Sequence, residues 1–163
     1  MKISSNKLKD IIDFAYQELE SLYEKDEIRS MIYSIIEHFT GYDLMKILTY
    51  KDELKVSESE LLKINFAIKD LKKEKPLQQI LGYCEFLDVR IEVNQHVLIP
   101  RVETEEIVQR VIKENKGRKN LKIADICCGS GCIAIALKKA FPDANIYAYD
   151  ISEEALKKSK ENA

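Results

Sequence analysis

One short stretch of this 163-residue sequence carries the residue types and spacing that could bind a charged small molecule: Asp125-Ile126-Cys127-Cys128-Gly129-Ser130-Gly131-Cys132. Gly129 and Gly131 allow a tight turn and a close approach of backbone to ligand. If a helix follows, its free N-terminal amides point outward and favour polar or anionic groups. Asp150 stands about twenty residues further on, at the end of a second apolar run, where a carboxylate can accept both hydroxyl hydrogens of a ribose. A GxG turn alone can serve geometry alone. The glycines, the flanking apolar runs and the acidic residue together point to a nucleoside-containing cofactor.

Two features select among such cofactors. Dinucleotide turns carry a third glycine for close helix packing. Ala134 occupies that place here, a replacement the pattern tolerates. Asp125, however, opens the motif, giving the DxxxGxG form typical of S-adenosylmethionine sites, and a helical pattern precedes the first strand. The methionine end of that cofactor carries an ammonium group, which a carboxylate near the turn would complement. Asp125 has a second reading, in which it only ties the loop together by accepting backbone hydrogen bonds. The cysteines argue for no other chemistry. Cys127, Cys128 and Cys132 crowd one turn and Cys84 stands alone, which suits neither a disulfide framework nor the paired spacing of a zinc site. They read as reduced thiols in a packed turn. His38 and His96 read as surface or packing residues, and no metal is expected.

The elements that must position these residues divide the chain. Residues 1–75 hold one Gly and no Pro, whereas residues 76–163 hold four Gly and all three Pro. In the first part, Leu8, Ile11, Ile12, Ala15, Leu19 and Leu22 form an apolar stripe at helical spacing, with Ser4 or Ser5 as its cap. Ile28, Met31, Ile32, Ile35, Ile36 and Phe39 form a second, stopped by Gly41. A short helix follows over residues 43–49. Ser57 and Glu60 have the spacing of a capping box ahead of Leu61, Ile64, Ile68 and Leu71. The spacing predicts a small antiparallel helical bundle over residues 1–75. Residues 76–101 read as a linker containing a β-hairpin, with extended segments at 85–89, 90–93 and 97–100. Residues 102–163 then alternate helix, strand, helix, strand, helix, which predicts a doubly wound parallel sheet.

Composition excludes several classes. A hydrophobic fraction of 45% with 33% charged residues is that of an ordinary folded domain. The formal net charge of −2 provides no basic field for direct nucleic-acid binding and no polybasic membrane patch. The N-terminus is charged from the start and lacks an apolar signal core, so a cytoplasmic location is expected.

Residues 76–163 resemble the HemK/PrmC-type methyltransferases. The run Pro76-Leu77-Gln78-Gln79-Ile80-Leu81-Gly82, then Glu85-Phe86, then Val97-Leu98-Ile99-Pro100-Arg101-Val102-Glu103-Thr104-Glu105 carries the likeness, with the IPRxxTE pattern as its most specific part. It continues through Ala124-Asp125 to Gly131, Tyr149-Asp150 and the closing Glu161-Asn162-Ala163. Val102 stands where proline is usual, Gln79 where an aromatic is usual, and Leu87-Asp88 where a glycine commonly falls. The helical region before residue 76 matches by architecture only.

The resemblance implies an α+α/β chain: a helical bundle, a hairpin linker, and the start of a Rossmann-like class I methyltransferase sheet. It implies methylation of the glutamine side-chain amide in the Gly-Gly-Gln motif of a peptide-chain release factor. S-adenosyl-L-methionine would be the methyl donor and S-adenosyl-L-homocysteine the product. Asp125, Cys127, Cys128, Gly129, Ser130 and Gly131 would line the methionine end and Asp150 would take the ribose. Arg101, Thr104 and Glu105 would brace the wall between linker and sheet or touch the cofactor, with a salt-linked joint at Arg101 and Glu105 as the other reading. The bundle would help hold the release factor.

The family's catalytic Asn-Pro-Pro-Tyr is absent, and no Asn-Pro occurs in the sequence. The chain therefore reads as an N-terminal piece, with no catalytic residue expected within it. Its partial sheet would leave a strand edge and apolar faces uncovered, which favours self-association. Three other readings remain open on the residues: an adenine-N6 DNA methyltransferase, a nicotinamide oxidoreductase, and a non-enzymatic module that docks a partner.

Overall fold

The computed structural model describes residue 3 and residues 5–163, and divides into two compact units, Met1–Leu81 and Gly82–Ala163. In the first unit, α1 (Leu8–Leu19), α2 (Lys25–Thr40), α3 (Leu44–Tyr50) and α4 (Glu58–Leu71) form on the expected apolar periodicities, except that Leu22 lies beyond the end of α1 and is exposed. Leu8, Ile11, Ala15 and Leu19 of α1 are fully buried against Ile28, Ile32, Ile35 and Ile36 of α2, with Ile47, Ile64 and Ile68 completing the core.

The ends of the helices follow side-chain chemistry. Gly41 closes α2 in the left-handed region (φ 70°), its amide donating to the Glu37 carbonyl. Asp43 caps α3 by accepting the Lys46 amide at 2.7 Å. Before α4, the Ser57 hydroxyl accepts the Glu60 amide and the Glu60 carboxylate accepts the Ser57 amide, the reciprocal capping box. At α1 the expected cap differs. Ser4 lies outside the described residues, Lys7 holds the cap position, and the Ser5 hydroxyl accepts the Lys7 amide at 3.2 Å, one step before the helix.

Pro76 does more than end a helix. Its carbonyl accepts the amides of Gln79 and Ile80, opening a short helix, α5 (Leu77–Leu81). Leu77, Ile80 and Leu81, at helical spacing, pack against the first core.

In the second unit, β1 (Tyr83–Phe86) pairs antiparallel with β2 (Val89–Glu92) through a two-residue turn. Leu87 and Asp88 both take positive φ there (49° and 58°), as a hairpin turn of this length requires. Phe86 and Ile91 are fully buried in the second core. Residues 97–100 are not a strand. Val97 and Ile99 are buried and Leu98 is exposed, the alternation of a strand, but among the described residues no partner strand pairs with them.

α6 (Val102–Glu114) then leads to β3 (Lys122–Ile126), α7 (Cys132–Ala140), β4 (Asn145–Tyr149) and α8 (Glu153–Asn162). β3 and β4 pair in parallel, Lys122 opposite Asn145 through Ile126 opposite Tyr149. One face of this pair packs on α7. The other, bearing Ile126, Tyr147 and Tyr149, is more than half exposed at each of those residues. Among the described residues, no helix is long and apolar enough to cross a membrane.

Candidate functional site

Both carboxylates singled out in the sequence close on the turn between β3 and α7. Asp125 is buried at the end of β3, and its Oδ2 accepts the Ala134 amide in the first turn of α7 at 3.1 Å. Asp150 follows β4, and its Oδ2 accepts the Gly129 amide at 2.8 Å while its Oδ1 accepts the Ser152 amide at 3.0 Å. Parallel pairing makes this convergence possible, because it brings the C-terminal ends of both strands to one edge. The Cys128 amide continues the ladder by donating to the Tyr149 carbonyl at 2.9 Å.

The turn takes its shape from three residues with positive φ: Cys127 (64°), Gly129 (54°) and Gly131 (79°). Gly131 is required twice over. Its φ disfavours a side chain, and a Cβ there would run into the Ser159 hydroxyl of α8. Its amide donates to the Cys128 carbonyl at 2.8 Å, closing the turn. Ser130 is buried at the centre of the turn. Cys127 is exposed, while Cys128 and Cys132 are buried. The Cys128 thiol lies 3.9 Å from the Ser159 hydroxyl.

The electrostatics separate the two carboxylates. Amide hydrogen bonds from Ser152 and then Gly129 hold the Asp150 carboxyl below the usual aspartate range. Burial pushes Asp125 up, the Ala134 amide opposes this, and the Asp150 charge adds to it. A carboxylate offers about four lone-pair positions, so the backbone amides around Asp150 leave it capacity for a further donor. Burial also raises the thiols of Cys128 and Cys132, and carries Cys84 of β1 to about 11. These three favour the neutral, unreactive form.

The IPRxxTE residues sit at the start of α6. Arg101 holds the cap position in extended backbone and is exposed, and its side chain makes no cap hydrogen bond. Thr104 and Glu105 are half-buried in the first turn, with Glu105 close enough to Cys84 to act on its thiol. Among the described residues, Arg101 and Glu105 form no ion pair. The structure thus gathers Asp125, Cys127, Cys128, Gly129, Ser130, Gly131 and Asp150 into one turn, and leaves Arg101, Thr104 and Glu105 on a separate element. Ser152, Ser159 and Asn162 also touch the turn or its carboxylate; the sequence signals a helix start at Ser152 and a motif at Asn162, and nothing at Ser159. Among the described residues, no group of three or more His, Cys, Asp or Glu side chains could hold a metal ion.

Comparison with known proteins bears on this turn. The family model described as Methyltransferase small domain matches residues 103–163. A release factor glutamine methyltransferase from Flavobacterium psychrophilum is 43% identical over 151 residues, covering 90% of this chain and 52% of that protein. Those of Bacteroides thetaiotaomicron and Streptococcus pneumoniae are 39% and 36% identical, covering 93% and 96% of this chain and 54% and 55% of theirs. The chain spans about half the length of the curated relatives it matches. The likeness extends through the helical unit as well as the turn.

Proposed function

We propose that this chain, which belongs to the release factor glutamine methyltransferase family, carries the cofactor-binding part of an enzyme that methylates a glutamine side-chain amide in a release factor. S-adenosylmethionine is the methyl donor in this reading, and its positively charged sulfonium makes the methyl group transferable to a weak nucleophile. The observation that carries the reading is the convergence of Asp125 and Asp150 on one turn, each accepting a turn or helix amide.

In this reading the Asp150 carboxylate accepts the ribose hydroxyls. The amides of Gly129 and Ser152 fix its orientation before any ligand arrives, so little side-chain entropy is lost on binding. Asp125 holds the start of α7 and faces the ammonium end of the methionine moiety. A cation there would relieve the like-charge effect of Asp150 that raises Asp125. Residues 127–131 line the methionine end, with the glycines admitting close approach. Arg101, Thr104 and Glu105 form the wall beside it. The helical unit holds the release factor, and the enzyme works in the cytoplasm, where release factors act.

Methylation of an amide nitrogen needs the amide held in line with the methyl group, because that nitrogen is a poor nucleophile and alignment supplies much of the rate. Acceptors for the amide hydrogens also stabilise charge growing on nitrogen. The family places this task on Asn-Pro-Pro-Tyr, and these 163 residues contain no Asn-Pro. The reading therefore expects no methyl transfer from these 163 residues alone, and the exposed face at Ile126, Tyr147 and Tyr149 favours self-association.

A methyl-transfer assay with purified release factor tests this. The expected result is no activity for the 163-residue chain and activity for a protein that adds the missing motif. Calorimetric titration of the chain should show uptake of S-adenosylhomocysteine and none of NAD. Methyl transfer by the chain alone, or a preference for NAD, would overturn the reading.

A further inference from the structure

The side-chain amide of Asn162, in the last turn of α8, makes three hydrogen bonds to two backbone segments far from it in sequence. Its Oδ1 accepts the Glu92 amide at 2.9 Å, and its Nδ2 donates to the Glu92 carbonyl at 3.0 Å. The same Nδ2 donates to the Ser130 carbonyl at 2.9 Å. Glu92 ends β2, and Ser130 is the buried centre of the turn. An asparagine amide has two N–H donors and an oxygen with two lone pairs, so one side chain can grip both backbone groups of a strand residue and still reach a third group. Lys158, one turn earlier on α8, pairs with the Glu92 carboxylate at 3.3 Å and with Glu161. Two kinds of contact therefore join α8 to the hairpin. Of these two contacts, the one through Asn162 also reaches the turn, which α8 meets again at Ser159.

We propose that Asn162 is a positioning residue for the cofactor turn, tying Ser130 to the end of β2 so that the amides of Gly129 and Gly131 stay in place. Asp125 and Asp150 hold the turn from the two strands, through the amides of Ala134 and Gly129. Neither bonds to the Ser130 carbonyl. The Gly131 amide of the same peptide is held inside the turn by the Cys128 carbonyl, and Asn162 holds the carbonyl end from outside it, between two glycines that have no side chains to resist rotation. A buried backbone carbonyl also needs a donor on its own account. Asn162 meets both needs and makes cofactor affinity depend on where the hairpin sits.

The binding part of this inference rests on the cofactor reading of the turn, whereas its structural part does not, and the experiment separates them. Asn162→Asp keeps the volume and the acceptor but loses the N–H groups. Lys158→Met breaks the ion pair that joins α8 to the hairpin, together with the one to Glu161 within α8, and leaves the Ser130 bond intact. Amide hydrogen exchange of the chain without ligand is measured at Gly129 and Gly131. Asn162→Asp should speed it roughly tenfold and Lys158→Met by less than about twofold. Calorimetric titration with S-adenosylhomocysteine should show affinity weakened roughly five- to tenfold by Asn162→Asp and nearly unchanged by Lys158→Met. A role confined to docking α8 on the hairpin would move both variants alike, and that result would overturn the proposal. If the unmodified chain takes up no S-adenosylhomocysteine, the cofactor reading fails and the exchange rates alone decide the role of Asn162. Should the introduced carboxylate disrupt α8, the neutral Asn162→Ala carries the same comparison.

Discussion

The two units of this chain differ in what they add to an apolar core. In residues 5–81 nearly all the buried side chains are aliphatic, and polar groups do their work at helix ends, as at Asp43 and Ser57. Asn65 is the exception, with a buried Oδ1 that has no hydrogen-bond partner among the described residues. Residues 82–163 have an apolar core of their own around Phe86 and Ile91, but they add a polar cluster, in which Asp125, Asp150 and Asn162 bond to backbone in and beside one turn, while the sheet face beside it carries exposed Ile126, Tyr147 and Tyr149. The first unit is built from burial that can be replaced residue by residue. The second concentrates fixed amides and charge in one place, which is what recognition of a charged ligand requires.

The largest test of that contrast removes bulk from the first unit. Ile32 is fully buried in α2, and Ile32→Ala deletes its outer carbons from a packed core. The change should destabilise the helical unit by about 2–5 kcal/mol, as the lost transfer energy adds to the cavity left behind. Denaturant unfolding followed by far-UV circular dichroism measures this. Affinity for S-adenosylhomocysteine, measured where the variant is still folded, should be unchanged. An equal loss of ligand affinity would mean that the two units are not separable in the way the comparison supposes.

The mirror-image change is Gly131→Ala. It adds only one carbon, yet it asks for a left-handed alanine and drives a methyl group into the Ser159 hydroxyl. Strain at such a position runs to about 1–3 kcal/mol, and the overlap with α8 adds to it. Amide exchange should rise across residues 125–135 and stay unchanged in α1 and α2, with ligand uptake lost. Adding Ser159→Gly should recover the part due to overlap and leave the part due to φ. A double variant no better than the single one would show that backbone strain accounts for the whole effect.

How much of this could be read from the sequence follows the same division. The apolar stripes of α1 and α2, the stop at Gly41 and the capping box at Ser57 and Glu60 are local signals, each acting within a few residues. The glycine turn and its strand-end aspartate were legible too, because the βαβ pattern places them by chain connectivity. What escaped depends on contacts made across the fold. Leu77, Ile80 and Leu81 look like part of an extended linker until a bundle surface is there to pack against. Val97 to Pro100 alternates like a strand but finds no neighbour to complete a ladder. Ser159 matters because it abuts Gly131, and Asn162 because it reaches Ser130, 32 residues away. No periodicity encodes either contact.

The smallest expected effect lies at Cys127, and it sharpens the comparison most finely. Each unit holds an exposed non-glycine residue in left-handed backbone: Glu74 (φ 57°) after α4 and Cys127 (φ 64°) in the turn. Left-handed geometry costs an L-residue about 1–2 kcal/mol. Glycine removes that cost but raises the entropy of the unfolded chain by about 0.4–1 kcal/mol. Glu74→Gly and Cys127→Gly should therefore each stabilise their unit by between about 0 and about 1.6 kcal/mol, a shift readable by thermal unfolding. If backbone alone lines the turn at residue 127, affinity for S-adenosylhomocysteine should change by less than about twofold in both variants, under 0.5 kcal/mol. A larger loss confined to Cys127→Gly would place the thiol itself against the ligand. The strained residue would then be kept for its side chain in the second unit, while Glu74 in the first would remain a conformational accident of a helix end.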